Sequence, residues 1–127
     1  MKKKIMVDMS ATLIHHGHIR LIKKACKFGK VYVALTTDKE VKKHKGYLPE
    51  LKYNQRKEIL SELKSVYKVI PSKWIITQKF LDNNKIDLIV SGSDYASRKF
   101  KTKSLSFPRT KGISSSQIRK KFSSRVR

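Results

Sequence analysis

The chain is poor in several residue types, and each shortage excludes a class of protein. It has one cysteine, Cys26, which excludes an internal disulfide and a zinc site built from several cysteines. Its apolar runs, such as 87–90, are only a few residues long, whereas a membrane-spanning helix needs roughly 20. We therefore predict a single domain over residues 1–127, no membrane insertion, and Cys26 as a small core residue.

The start of the chain resembles a secretory signal only in its charge. Residues 2–4 are all lysine, but the apolar segment behind them is interrupted by Asp8 and is too short for the apolar region of a signal peptide. We therefore expect a cytoplasmic protein.

Acidic residues are also scarce. The chain has 9 of them against 31 lysines and arginines, which gives a formal net charge of +22. This charge favours an anionic partner, such as a nucleotide, a nucleic acid or an acidic surface. Most of the positive charge is lysine and is spread along the chain, whereas nucleic-acid readers rely on arginine for bidentate contacts. We expect no specific nucleic-acid partner, and keep a basic nucleic-acid-binding module as an alternative.

What the chain does contain is an alternation of strand and helix patterns. Strands are expected at 4–9, 31–35, 69–71, 86–90 and 105–107. Helices are expected at 17–28, from an Asn54 cap onward, at 74–81 and at 114–122. The lysine-rich stretch 36–53 is expected to be a loop, and the tail 123–127 to be frayed. This order predicts an α/β fold, a single Rossmann-like domain with a mostly parallel sheet and helices on both faces.

The carboxyl ends of the predicted strands are where a ligand should bind. Four polar or cationic loops are expected at that edge of the sheet, and they cover residues 10–18, 36–53, 92–95 and 109–116. Because all four carry groups that could contact a triphosphate, topology alone places a candidate anion site at this edge.

The turn at residues 15–18 carries the sharpest chemical signal, His-His-Gly-His. Gly17 would let the backbone approach a ligand, and a helix N-terminus offers free N–H groups to phosphate. His15 and His18 could donate hydrogen bonds to charge that develops on an α-phosphate during displacement. A metal site would need a further ligand, and the only other histidine is His44, so we predict no protein metal site.

The loop at 109–116 is the second signal. Arg109 can make a forked contact with phosphate, and residues 114–116 present three hydroxyls at another predicted helix N-terminus. An ordinary helix cap would account for Ser114 alone.

These two loops resemble the signatures of the cytidylyltransferase branch of the nucleotidyltransferase superfamily. Residues 15–18 match its HxGH signature, and residues 109–116 resemble RTxGISTT with serine in place of the threonines. Residues 53–60, 69–71 and 92–95 are similar to further family segments in the same order. The likeness extends to the glycerol-3-phosphate and phosphonate cytidylyltransferases. HxGH is shared with adenylyltransferases, and the second signature favours CTP.

The resemblance implies an in-line displacement that moves CMP from CTP to a small organic phosphate or phosphonate and releases pyrophosphate. The acceptor would be of the glycerol 3-phosphate, phosphocholine, phosphoethanolamine or aminoethylphosphonate kind. Mg²⁺ would arrive with the triphosphate, and the enzyme would be a homodimer. The alternative that keeps this fold is an adenylyltransferase that uses ATP.

The resemblance also implies roles for residues. His15 and His18 would stabilise the transition state, and Lys43 and Lys45 would bridge the triphosphate and the acceptor. The residues expected to bind the nucleotide are Ser10, Ala11, His15, His18, Lys45, Asp94, Arg109, Thr110, Gly112, Ile113, Ser114, Ser115 and Ser116.

The chain departs from the family pattern on the acceptor side. Residues 9–12 read Met-Ser-Ala-Thr where the family has Gly-x-Phe-Asp, which removes a carboxylate and an aromatic ring from the first loop. Ser93 replaces the first aspartate of a GDDW-type loop. Glycerol 3-phosphate is therefore not carried over as the acceptor.

Overall fold

The computed structural model describes residues 2–92, 100–108 and 113–126. Its strands are β1 (Lys4–Met9), β2 (Lys30–Thr36), β3 (Val66–Ser72), β4 (Leu88–Ser91) and β5 (Lys103–Ser106). Its helices are α1 (His16–Cys26), α2 (Asp38–Lys45), α3 (Tyr53–Ser61), α4 (Gln78–Asn83) and α5 (Ser115–Val126). In this described part of the chain, no helix is both long and apolar enough to cross a membrane.

The five strands form one sheet in the order β3-β2-β1-β4-β5, and every pairing is parallel. The chain builds outward from β1 to β3 and then crosses back to place β4 on the other side of β1. Such a reversal opens a crevice at the carboxyl ends of the two strands beside it. The fold therefore places a binding crevice next to the ends of β1 and β4.

Each face of the sheet buries its own apolar cluster. Ile5 and Val7 of β1 point to the face covered by α1 and α3, where Ile22 and Leu60 pack against them. Met6 lies between them in the sequence and points to the other face, which Leu81 of α4 covers. Because alternate strand residues face opposite sides, both faces of the strand are apolar. The predicted α/β fold with helices on both faces is confirmed.

The predicted loop at 36–53 is wrong, because it contains α2. This helix has acidic residues in its first turn and lysines in its last, an arrangement that suits the helix dipole. Val41 is its only buried residue, so its apolar pattern is too weak to be read from the sequence. Gly46 ends it in the left-handed conformation, with φ of 82°.

Several predicted boundaries also differ. Asn54 does not cap α3, because Lys52 occupies that position and the Asp38 carboxylate accepts from the Tyr53 N–H. The helix expected at 74–81 begins only at Gln78, where Thr77 Oγ1 accepts from the Phe80 N–H. The folded structure therefore overrides the local patterns that predict a helix cap at Asn54 and a helix over residues 74–77.

Three further expectations differ from the structure. Cys26 is exposed, so it is not a core residue, because the buried face of α1 runs through Ile22 and Ala25 instead. Pro71 does not end β3 but lies within it, which is tolerated because β3 is an edge strand. The tail expected to fray continues α5 as far as Val126.

Candidate active site

A cavity of about 560 Å³ opens at the carboxyl edge of the sheet, in the crevice between β1 and β4. Met9 and Ser10 line it at the end of β1, and Ser91 and Gly92 line it at the end of β4. The start of α1 and the start of α5 form two further sides. The cavity is thus where the strand order reverses, as the topology requires.

The helix cap of α1 fixes the hydrogen-bonding state of both candidate histidines. The Gly17 N–H donates to His15 Nδ1 at 3.0 Å, and the His15 N–H donates to His18 Nδ1 at 3.1 Å. An Nδ1 that accepts a hydrogen bond carries no proton in the neutral ring, so the proton lies on Nε2. The two rings lie close together, with their centroids 3.9 Å apart. Each neutral imidazole therefore carries its proton on Nε2, which can act as a hydrogen-bond donor.

Burial keeps these imidazoles neutral. It lowers the pKa of His18 to about 4, with the neighbouring His15 acting in the same direction. The pKa of His15 is also lowered, first by burial and then by the adjacent His16. At neutral pH the pair therefore acts as two hydrogen-bond donors and not as two cations.

Gly17 is required by the ring beside it. A Cβ at this position would lie 2.8 Å from His15 Cε1 and 2.9 Å from Nδ1, closer than a Cβ approaches a non-bonded atom in folded proteins. It would also lie 3.5 Å from Cγ2 of Ile113, an ordinary contact. The glycine of the His-His-Gly-His turn thus leaves room for the His15 imidazole, a reason more specific than backbone approach.

The start of α5 lines the cavity beside the histidine turn. Ser114 Oγ accepts from the Gln117 N–H at 3.0 Å and so caps the helix. Ser115 Oγ donates to the Leu13 carbonyl at 2.7 Å and accepts from the Leu13 N–H at 3.2 Å. Ile113 and Ser116 line the cavity together with these two serines. Free N–H groups at a helix start favour bound anions, so this side suits phosphate.

Of the two predicted lysines, the structure brings only Lys45 to the cavity. Lys43 is exposed elsewhere on α2, because residues two apart on a helix point in different directions. Lys45 Nζ lies 5.7 Å from the centroid of the Trp74 ring, which also lines the cavity and stacks on His44 at 5.3 Å. The sequence does not single out Trp74, which lies just before a short helix.

Glu40 ties Trp74 to α2. Its Oε1 accepts from the backbone N–H of Trp74 at 3.0 Å, and this hydrogen bond is the main reason that the pKa of Glu40 is lowered. The indole and the lysine are therefore held by the same helix.

Arg56 supports the floor of the cavity from inside the protein. It is fully buried, and its Nη1 donates to the carbonyls of Ser10 at 2.6 Å and Thr36 at 2.8 Å. Its Nη2 donates to Asp38 Oδ1 at 2.7 Å, and its Nε donates to the Leu51 carbonyl at 2.9 Å. One guanidinium thus joins the ends of β1 and β2 to α2. In the sequence it looks like one more surface cation.

Three further charged residues line the cavity and were not predicted. Arg20 and Lys24 lie four residues apart on α1, and Asp8 lies in β1. Asp8 is the only carboxylate among the described lining residues. The described residues contain no group of three or more histidines, cysteines, aspartates or glutamates that could hold a metal ion.

The predicted site residues fall into three groups. Those that line the cavity are Ser10, Ala11, His15, His18, Lys45, Ile113, Ser114, Ser115 and Ser116. Lys43 does not reach it. Asp94, Arg109, Thr110 and Gly112 lie outside the described residues.

The part of the chain that forms the cavity matches a known protein family. A family model described as cytidylyltransferase-like matches residues 10–121. The glycerol-3-phosphate cytidylyltransferase of Bacillus spizizenii is 35% identical over 130 residues, which cover 96% of this chain and 98% of the relative. That of Staphylococcus aureus is 32% identical over 125 residues and covers 92% of each chain. The ethanolamine-phosphate cytidylyltransferase of Mus musculus is 29% identical over 93 residues, 72% of this chain and 23% of its own length.

A solved structure has the same fold. The lipopolysaccharide core biosynthesis protein from Thermoplasma volcanium superposes with a TM-score of 0.73, at 22% identity, over 87% of this chain and 99% of its own. The family match and the two bacterial relatives go further than the fold. The chain belongs to the cytidylyltransferase family and is a CTP-dependent nucleotidyltransferase.

Proposed function

We propose that this enzyme transfers CMP from CTP to a small organic phosphate or phosphonate. The observation that carries the proposal is one cavity that joins His15 and His18 to the serines at the start of α5. Two neutral imidazoles and a helix N-terminus line one cavity of about 560 Å³. This arrangement can hold a triphosphate at both its α-phosphate and its outer phosphates.

The reaction is a single displacement at the α-phosphorus. An oxygen of the acceptor's phosphate or phosphonate forms a new P–O bond, and the bond between the α-phosphorus and the bridging oxygen of pyrophosphate breaks. The pyrophosphate leaves with that electron pair, and no covalent intermediate with the enzyme forms. The protein therefore needs to position two anions and to stabilise the charge that spreads over the α-phosphate oxygens.

Each side of the cavity has a part in this mechanism. The Nε2–H groups of His15 and His18 donate to the α-phosphate as its charge grows. The start of α5 receives the outer phosphates, together with the predicted contacts of residues 109–112. Lys45 bridges the triphosphate and the acceptor, whose mutual repulsion is otherwise a barrier to the attack.

The acceptor is proposed to enter on the side of Lys45 and Trp74. Arg20 and Lys24 add positive charge along α1, which suits a second phosphate or phosphonate. The relatives' names supply two acceptors to test, glycerol 3-phosphate and ethanolamine phosphate. Phosphocholine and aminoethylphosphonate complete the set that we propose.

Mg²⁺ is proposed to arrive with the triphosphate. Asp8 is the one described carboxylate in the cavity, and Mg²⁺ in nucleotide sites is commonly bound by one or two carboxylates together with phosphate oxygens. When bound, the ion neutralises part of the triphosphate charge.

A homodimer and a cytoplasmic location complete the proposal. Phe28 and Tyr67, 42% and 56% exposed, lie in a basic groove lined by five lysines, remote from the cavity. If two copies meet through this face, the lysines will oppose the contact and the dimer will strengthen with salt. Sedimentation velocity at two salt concentrations tests the dimer, and cell fractionation tests the location.

The experiment that tests the function measures pyrophosphate release with CTP and Mg²⁺ against the four acceptors. We expect release with CTP and one class of acceptor, and formation of the matching CDP-linked product by mass spectrometry. ATP in place of CTP is the matched control for the donor. Release with ATP alone would support the adenylyltransferase alternative. No release with any acceptor, together with oligonucleotide binding that survives moderate salt, would support the binding module.

A further inference from the structure

Arg119, on α5, contacts residues from two distant segments of the chain. Its Nε donates to both carboxylate oxygens of Glu50 at 2.7 Å, and its Nη1 donates to the Tyr47 hydroxyl at 3.0 Å. Its Nη2 donates to Thr12 Oγ1 at 2.6 Å, and Thr12 is fully buried. We call these four residues the Arg119 network. It joins α5 to the α2–α3 connection and to the β1–α1 loop.

Ser115 attaches the same face of α5 to the same loop. It lies four residues before Arg119, one helical turn away, and exchanges two hydrogen bonds with the backbone of Leu13. The helix is thus joined to the β1–α1 loop at two successive turns, by Ser115 to Leu13 and by Arg119 to Thr12.

Apolar burial does little to hold α5. From Ser115 to Ser123 no residue of the helix is buried, and Phe122 is 71% exposed. By contrast, α1 buries Ile22 and Ala25 in the main core. Because burial supplies most of the packing energy of a helix in a protein, the position of α5 depends on its polar contacts.

The segments that the Arg119 network joins are those that form the cavity. Thr12 lies three residues before His15, and Tyr47 lies two residues after Lys45. The helix that carries Arg119 begins with serines that line the same cavity as the histidines. Arg119 is not itself among the described residues that line the cavity. Its charge is directed at Glu50, so any effect on a triphosphate must pass through α5.

We propose that Arg119 is a positioning residue that holds the start of α5 at the correct distance from His15 and Lys45, and so sets the affinity for the triphosphate. The proposal rests on the proposed function for the identity of the ligand. Arginine is needed because its planar group can donate to three acceptors at once, which an ammonium on a flexible stem cannot do in fixed geometry. Glu50 is its essential partner, because it orients the guanidinium and neutralises it.

The first test needs no nucleotide. Hydrogen exchange of the α5 amides is measured in the free protein for the wild type, Arg119→Met and Glu50→Gln. Both variants should exchange faster in α5, while the amides of β1 and β2 keep their protection. Lys120→Met is the matched control, because it removes an exposed neighbouring cation and should leave α5 unchanged. Unchanged exchange in both network variants would overturn the proposal.

The second test links the network to the nucleotide. Each single variant should raise the KM for CTP about tenfold with a smaller change in kcat, and the double variant should be no worse than Arg119→Met, since coupled residues are non-additive. Additive effects, or a raised KM in Arg119→Met alone, would overturn the proposal and indicate direct contact with phosphate. Suppose that the wild type fails to turn over CTP while hydrogen exchange in α5 still increases in the two variants. In that case the proposed function would be wrong, and the role of Arg119 in positioning α5 would still hold.

Discussion

One wall of the cavity is formed by residues 8–11, His15, Gly17 and His18 with Thr36 and Lys45, and we call it the first wall. The second wall is the start of α5, residues 113–116. An arginine supports each wall, but the two are held differently. Arg56 behind the first wall is fully buried and donates to three backbone carbonyls and to Asp38. Arg119 behind the second is 27% exposed and donates only to side chains.

This difference separates stability from binding. The first wall is continuous with the buried sheet, so damage to it should reduce the free energy of unfolding. The second wall rests on partly exposed polar contacts, which contribute less to global stability because water competes for them. Damage to the second wall should therefore appear as lost affinity for the triphosphate in a protein that remains folded.

The largest effect is expected from Arg56→Lys. The ammonium cannot reach the carbonyls of Ser10, Thr36 and Leu51 together, so buried acceptors lose their partners and the variant should be destabilised by about 3–5 kcal/mol. Urea unfolding monitored by circular dichroism measures this loss. The matched change Arg119→Lys should cost less than about 1 kcal/mol. Equal losses of unfolding free energy in the two variants would show that the two walls do not differ in how they contribute to stability.

Acid should weaken the first wall selectively. Because the folded pKa of His18 is about 4, below its ordinary value of 6.5, the unfolded chain binds the proton more readily. The stability due to the neutral His18 is complete above pH 6.5 and is lost as the pH falls toward 4. Between pH 7.5 and 4.5 the wild type should lose about 2–3 kcal/mol more than His18→Gln.

His16→Gln is the control for the acid experiment, because His16 is exposed and does not line the cavity. It should follow the wild type. The described residues of the second wall have no titratable side chain, so the effect belongs to the first. Parallel pH profiles for the wild type and His18→Gln would contradict this account.

Gly17→Ala tests the contact between the two walls. The added methyl would meet the His15 ring and approach Ile113, so the ring must turn away from its helix-cap position. We expect kcat to fall about 100-fold, the cost of misplacing a catalytic group by roughly 1 Å, with a smaller change in melting temperature. Steady-state kinetics and a thermal melt measure the two quantities. Full activity would mean that the position of His15 does not matter.

The smallest effect separates Lys43 from Lys45, the two lysines of α2 that were predicted to contact the substrates. Lys45→Ala should lower kcat/KM by about 10-fold or more, since it removes a cation facing the reacting phosphates. Lys43→Ala should stay within about twofold of the wild type, because it removes an equal charge outside the cavity. Reversed effects would show that α2 presents its other face to the substrates.

The sequence predicts the first wall better than its support. The apolar run of β1 and the His15–His18 turn are local signals, and the topology brings that turn to the serines at 114–116. The role of Arg56 has no such signal, because its partners are backbone carbonyls that only the folded chain brings together. Its burial is decided by geometry at a distance and not by its neighbours in the sequence.

The helix α2 and the indole of Trp74 were missed for a related reason. Among the residues of α2 only Val41 is buried, so its lysine-rich sequence reads as a solvated loop. Trp74 gains its place through Glu40 and His44 of that same helix. Because the sequence does not predict α2, it also does not predict the side of the cavity, at Lys45 and Trp74, that we assign to the acceptor.

The central claim is that the paired imidazoles of the first wall carry CMP transfer, and the most direct measurement compares His18→Ala with His16→Ala. Single-turnover formation of the CDP-linked product from CTP is followed for both variants, with folding checked by circular dichroism. Loss of one preorganised donor should slow His18→Ala by about 10²–10³-fold, and His16→Ala should match the wild type. Equal rates in the two variants would contradict the account.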